Sequence, residues 1–197
     1  MSKTSMPVFH PTVPTNWSEA QIGGVAEVIA KKLGFKPGTD IKAFVENELG
    51  GTVEVDDWRN PAPTGEIQVR GPGKFTIWLS PYTAPARDVF TIAHELGHYF
   101  LHSKIGKIPI EVKREGNNRV EWEANCFAAS FLLPEKAFRK AWGEHDGNIT
   151  ASGRSVLTCC RNEFQAGACF RRIGGALTAS PAAFPERGCG GFHRLQA

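Results

Sequence analysis

Apolar positions follow helical spacing in the first quarter of the chain and alternate after it. The helical spacing predicts one helix from Trp17 to Leu33 and a second from Asp40 to Leu49. Ser18 can cap the first helix, and Gly34 directly follows its last apolar residue. The alternating stretches predict three strands, at 53–55, 67–69 and 75–79.

Helical spacing returns in the second half of the chain. One helix is predicted from about Ala86 to His102 and another from about Asn118 to Leu133. Pro134 ends the latter and suits the first turn of one more helix, to about Trp142. The polar stretch between His102 and Asn118 is predicted as a connection. This order of elements predicts an α+β fold with a small three-stranded sheet packed against helices.

A break in composition near Thr150 divides the chain. Residues 1–150 contain all 11 lysines and have a net charge of −1, whereas residues 151–197 have no lysine, seven glycines, four cysteines and a net charge of +4. We therefore expect an extended lead-in at 1–16 and a folded domain at 17–149. The remaining residues, 150–197, form a Gly-, Arg- and Cys-rich tail that we expect to be poorly ordered.

Composition also narrows the function classes. The net charge of +3 is small, which argues against nucleic-acid binding. No apolar run approaches the roughly 18 residues of a membrane span, and residues 1–14 lack the apolar core of a secretory signal. The five cysteines indicate no disulfide framework. We expect a cytoplasmic enzyme, and the sequence leaves its oligomeric state open.

The stretch from Thr91 to His98 contains a candidate metal site. Residues four apart lie on one face of a helix, so His94 and His98 can offer their imidazoles to one metal ion. Glu95 lies beside the first of them, where its carboxylate can take a proton from a metal-bound water. Zn²⁺ suits this arrangement, because it binds neutral imidazole and lowers the pKa of a bound water toward about 7. The alternative is a chance match on an amphipathic helix. Gly97 is small enough to let another backbone approach.

A third protein ligand must come from elsewhere in the chain. Three imidazoles at intervals of four along a straight helix spread over roughly 12 Å, so they cannot all bind one ion. His102 is therefore predicted to contact a metal-binding side chain or to have a structural role. Glu121 and Asn125 share one face of the next helix. We predict Glu121 as the ligand and Asn125 as its hydrogen-bonding neighbour. Glu123 points about 200° away from Glu121 and is predicted to be a solvated charge.

Two segments in this order, Phe90 to His98 and Glu121 to Ala129, followed by Leu132-Leu133-Pro134, resemble the ImmA/IrrE family of zinc metallopeptidases. The resemblance covers roughly Trp17 to Trp142 and implies a zincin-like domain. It implies Glu95 as the general base and a zinc ion bound by His94, His98 and Glu121.

The resemblance also implies a substrate class and a setting. Members act inside bacteria or their mobile elements and often cleave helix-turn-helix repressors, so a protein substrate is expected. Candidate oxyanion donors are Tyr82, Tyr99, His102 and His145. The predicted strand at 74–79 could bind an extended substrate by strand addition.

Two other function classes compete with a zinc endopeptidase. The first is a non-catalytic regulator that keeps the metallopeptidase fold and acts by binding a protein. An intact set of His94, Glu95 and His98 argues against it, because a pure binder needs no general base. The second is a DNA-binding protein that uses the first two helices. Few basic residues lie on the second of them, at Asp40 to Leu49, which argues against that class.

Overall fold

The computed structural model describes residues 8–56, 65–113, 116, 118–137 and 139. The predicted boundary near Thr150 and the tail after it lie outside these residues, as does the predicted helix end near Trp142. Residues 135–137 and 139 are helical. Within the described ranges, no helix combines the length and the apolar character that crossing a bilayer requires.

The first two helices begin where capping residues allow them to. Helix α1 spans Glu19–Lys32, and Ser18 exchanges hydrogen bonds with Gln21 at its start, as a capping box. Helix α2 spans Ile41–Glu48, and the Asp40 carboxylate accepts hydrogen bonds from the first turn of backbone N–H groups. Both helices confirm the predictions from apolar spacing to within two residues at each end.

Within the described residues the sheet has four strands rather than the three predicted. Strands β1 (Thr52–Val55), β2 (Gly65–Gly71), β3 (Lys74–Leu79) and β4 (Ile110–Lys113) lie in the order β1-β3-β2-β4. β1 is parallel to β3, and β2 is antiparallel to both β3 and β4. β4 lies in the stretch predicted as a polar connection. Only Ile110 and Val112 of this strand face the core, and an alternation over four residues is too short to predict a strand.

The central position of β3 contradicts the proposal that an extended substrate adds to it. Both of its edges already carry strands, β1 on one side and β2 on the other. Although β1 precedes the β2–β3 hairpin in the chain, it pairs with the edge of β3 that β2 leaves free. The backbone groups of β3 are therefore already used within the sheet.

The predicted long helix at 86–102 is two different helices in series. An α-helix, α3, spans Pro85–Gly97, and a π-helical turn spans His98–His102. In that turn the Ser103 N–H donates to the carbonyl of His98, five residues earlier, at 2.9 Å. Apolar spacing does not distinguish one wider turn from an α-helix. Such turns are often found at functional sites.

Helix α4 (Arg119–Leu132) contacts both α1 and α3. The Asn118 side chain caps α4 by accepting from the Glu121 N–H at 3.0 Å. A Cβ atom on Gly97 would lie 2.9 Å from the Cα of Ala124, so the glycine is what allows α3 and α4 to approach this closely. The expectation that Gly97 admits a neighbouring backbone is confirmed. This close contact places α4 side chains next to the histidines of α3.

Candidate metal centre

Three buried side chains converge on a single point. His94 lies on α3, His98 at the start of the π-turn and Glu121 in the first turn of α4. His94 Nε2 is 3.1 Å from His98 Nε2 and 3.1 Å from Glu121 Oε2, and His98 Nε2 is 3.5 Å from Glu121 Oε1. Among the described residues, these three form the group of histidine, cysteine and acidic side chains arranged to hold a metal ion.

The spacing of these donor atoms fits a small tetrahedral ion. Zinc bonds of about 2.0–2.1 Å place neighbouring ligand atoms of a tetrahedron roughly 3.3 Å apart. The observed separations of 3.1, 3.1 and 3.5 Å lie on either side of that value. Two imidazoles and a carboxylate are also ligand types that zinc prefers, and three protein ligands leave a coordination position open.

Asn125 orients the first imidazole. His94 Nδ1 lies 2.8 Å from Asn125 Oδ1, and both side chains are buried. A carbonyl oxygen can only accept, so Nδ1 carries the hydrogen and donates it. The lone pair of His94 is therefore on Nε2, which faces His98 and Glu121. The structure thus brings Asn125 next to the cluster, as a partner of His94.

His102 contacts the second imidazole from the other end of the π-turn. Its Nδ1 lies 3.0 Å from His98 Nδ1, and its Nε2 lies 3.2 Å from Glu123 Oε2. Burial lowers the pKa of His102, although the hydrogen bond and the charge of Glu123 oppose that shift. His102 is accordingly neutral near pH 7. It is not among the three converging ligand atoms.

Glu123 was predicted to be a solvated charge, and that prediction is wrong. Its exposed fraction is 0%. Burial raises the pKa of Glu123, but hydrogen bonds from Thr15, His102 and Arg119 outweigh that effect and the pKa is lowered overall. Helical geometry correctly separated Glu123 from Glu121. It could not reveal that the chain before α1 covers the other face of α4.

The carboxylate of Glu95 is buried on α3, next to the sheet. A Cβ atom on Gly65 of β2 would lie 3.1 Å from Glu95 Oε1 and 2.6 Å from the Thr91 methyl group. The missing side chain at Gly65 therefore leaves the room that Glu95 occupies. In sequence and along the helix, Glu95 directly follows His94.

The candidate oxyanion donors differ in their positions and in their hydrogen-bond partners. The Tyr99 hydroxyl accepts a hydrogen bond from the Gly73 N–H at 3.1 Å, so it lies at the β2–β3 turn and away from the cluster. His102 is engaged by His98 and Glu123. Tyr82, in the loop before α3, is exposed, and His145 lies outside the described residues.

A family model described as the IrrE N-terminal-like domain, of the peptidase M78 family, matches residues 59–166. The chain belongs to this family. It is a metallopeptidase family, which implies a metal, and the resemblance seen in the sequence is confirmed. The match extends past the predicted domain end at 149, and that boundary stays a prediction.

Two relatives extend the comparison. The metallopeptidase ImmA of Bacillus subtilis (strain 168) is 36% identical over 53 residues, which cover 26% of this chain and 31% of the relative. A solved structure, a Mycobacterium tuberculosis transcriptional regulator, superposes with a TM-score of 0.50 at 20% identity, over 72% of this chain and 45% of that one. At this identity the likeness concerns the fold alone. The chain thus spans about a third of the curated relative and less than half of the structural one.

Sequence reasoning missed the residues that surround Glu123. Thr15 and Asn16 lie in the predicted lead-in, more than 100 residues before Glu123, and Arg119 opens α4. No periodicity in the chain relates these positions. Their contacts arise from tertiary packing of the lead-in against α4.

Proposed function

We propose that this protein is a zinc-dependent endopeptidase in which His94, His98 and Glu121 hold the metal and Glu95 is the general base. The observation that carries the proposal is the convergence of three buried donor atoms at separations that fit a tetrahedral zinc ion. Membership of a metallopeptidase family supports it.

Each residue has a distinct task in the proposed hydrolysis. Zinc, when bound, acts as a Lewis acid that lowers the pKa of water and polarises the scissile carbonyl. Glu95 accepts a proton from the attacking water as the oxygen adds to the carbonyl carbon. When the C–N bond breaks, Glu95 passes that proton to the leaving amine. Tyr82 remains as a candidate donor to the oxyanion among the described residues.

We further propose a protein substrate, and specifically a helix-turn-helix repressor, acted on in the cytoplasm. The motifs at 90–98 and 121–129 support this through their resemblance to the ImmA/IrrE family. Neither the net charge nor the candidate site favours nucleic acid as a direct ligand.

The test compares the full chain with its Glu95→Gln variant, both loaded with zinc, on a panel of purified helix-turn-helix repressors. Glutamine keeps the shape of the side chain but cannot accept the proton, so cleavage measured by mass spectrometry should fall by orders of magnitude. Zinc content should stay near one ion per chain. Glu46→Gln, at an exposed position of α2, is the matched control and should cleave normally.

Two outcomes would contradict the proposal. Near-normal cleavage by zinc-loaded Glu95→Gln protein would exclude Glu95 as the base. Absence of cleavage by the unaltered chain, with zinc bound, would favour a regulator that acts by binding proteins.

A further inference from the structure

We propose that Glu123 and His102 form a relay that positions His98 by fixing which of its ring nitrogens carries the proton. Residues Thr15 and Asn16 anchor the relay. The inference rests on the proposed function, because it assumes that His98 presents Nε2 to a metal. Both relay residues are positioning residues, since they act through His98.

The relay begins at a carboxylate that is surrounded by donors. Thr15 donates from its backbone N–H at 2.8 Å and from its hydroxyl at 2.9 Å, and Asn16 donates from its N–H at 2.8 Å. Arg119 Nε donates at 3.1 Å, and His102 Nε2 lies at 3.2 Å. These donors favour the ionised form of Glu123 and lower its pKa, and an ionised carboxylate can only accept hydrogen bonds. Glu123 therefore takes the hydrogen on His102 Nε2.

The proton arrangement then follows along the chain of contacts. Because the Nε2 of His102 carries its hydrogen, the lone pair of that neutral ring is on Nδ1. His98 Nδ1, 3.0 Å away, must donate to it. The lone pair of His98 is then on Nε2, which faces His94 and Glu121 at 3.1 and 3.5 Å. Partners of this kind orient metal-binding histidines in many proteins.

The contact between His98 and His102 spans the π-turn. His98 and His102 are four residues apart and begin and end the turn. Across the π-turn the two ring centroids are 5.0 Å apart, and the ring planes are tilted by 47° to each other. The hydrogen bond between the two rings thus joins the first and last residues of the π-turn next to the candidate ligands.

The anchor comes from a distant part of the sequence. Thr15 and Asn16 present two successive N–H groups to Glu123. Asn16 has a φ of 58°, in the left-handed region that asparagine tolerates. Arg119 donates both to Glu123 and to the Trp17 carbonyl, which fastens the same segment. Glu123 is thus held from the chain before α1 and from α4 itself.

A purely structural role is the competing explanation. On that view Glu123 only fastens residues 15–17 to α4, and its loss would lower stability without a specific effect on metal affinity. The relay makes a different claim. Any effect of Glu123 on metal affinity must pass through the ring nitrogens of His102.

A double-mutant cycle on the full chain tests this claim. The dissociation constant for zinc is measured by chelator competition for the unaltered protein, Glu123→Leu, which leaves no acceptor for His102, His102→Phe and the double variant. Loss of a partner of this kind weakens metal binding about 10- to 100-fold, so each single variant should fall in that range. The double variant should bind zinc no more weakly than His102→Phe alone. Glu27→Leu removes another hydrogen-bonding carboxylate, on α1, and should leave the affinity unchanged.

A second measurement needs no variant and holds even if the substitutions prevent folding. Nitrogen-15 NMR of the zinc-loaded, unaltered protein should show hydrogen on Nδ1 of His98 and on Nε2 of His102, with His102 Nδ1 bare. The reverse pattern would overturn the relay. So would unchanged zinc affinity in both single variants, or full additivity in the double variant. An unaltered chain that binds no zinc would overturn the relay together with the metal site itself.

Discussion

The two imidazoles of the candidate centre are held in different ways. His94 is oriented by one neutral amide, that of Asn125, and both residues lie on the core helices α3 and α4. His98 is oriented through a second imidazole that ends on a buried charge, Glu123. We call His94 with Asn125 the shorter arm, or His94 arm, and His98 with His102 and Glu123 the longer arm, or His98 arm. The shorter arm depends on the packing of two helices. The other depends also on a π-turn and on the chain before α1.

Two ligands of the same residue type are therefore oriented by partners that need different surroundings. An amide that accepts one hydrogen bond needs little from its surroundings. A buried carboxylate must be compensated fully, because an uncompensated charge in the interior costs several kcal/mol. The orientation of His98 is therefore maintained only while Thr15, Asn16 and Arg119 donate hydrogen bonds to Glu123.

The largest expected effect treats the two arms alike. His94→Ala and His98→Ala each remove one of three proposed protein ligands, so either variant should lose most of its zinc, as measured by elemental analysis. Glu27→Gln should retain it. Full zinc occupancy in either histidine variant would show that other residues hold the metal.

The next effect isolates the shorter arm. Asn125→Leu removes the acceptor for His94 Nδ1–H, and zinc affinity should fall about 10- to 100-fold. Asn125→Asp restores an acceptor at the same place, so the affinity should return to within a few-fold of the unaltered value. Equal losses in the two variants would indicate that Asn125 matters for packing rather than for orienting His94.

A smaller effect should act on both arms at once. In Gly97→Ala the new methyl group would lie 2.9 Å from the Ala124 Cα and 3.1 Å from its carbonyl oxygen, so α4 must shift. Overpacking of this kind costs about 1–3 kcal/mol, to be read from denaturant unfolding. Zinc affinity should also drop, because Glu121, Asn125 and Glu123 all move with α4.

Gly24→Ala is the matched control for Gly97→Ala. Gly24 lies on α1, and a Cβ atom there would meet nothing within 4 Å. Alanine in a helix is favoured over glycine by roughly 0.5–1 kcal/mol, so this variant should be as stable as the unaltered chain or slightly more so. Equal destabilisation by both substitutions would contradict the close contact of α3 with α4.

The same contrast explains what the sequence could and could not predict. The His94 arm was accessible, because helical spacing places Glu121 and Asn125 on one face and the small Gly97 indicates a close neighbour. The partners of Glu123 were not, since Thr15 lies 108 residues away and no local pattern encodes that contact. The strand β4 was missed for a related reason. Its two core residues, Ile110 and Val112, are recognisable only once β2 is beside them.

The smallest effect separates the arms by their response to pH. Burial lowers the pKa of His102 below its ordinary value of 6.5, so the unfolded chain takes up a proton there before the folded chain does. The metal-free protein should therefore lose stability as pH falls below about 6.5, by at most about 1.4 kcal/mol per pH unit from this group. The pKa of Glu123 is lowered too, and its contribution is lost only below its ordinary value of 4.5. Denaturant unfolding between pH 7.5 and 5 should show a shallower slope in His102→Phe and the unaltered slope in Asn125→Leu, because an amide does not titrate. If the free energy of unfolding has the same pH slope in His102→Phe as in the unaltered chain, His102 is not a buried neutral imidazole in the folded protein.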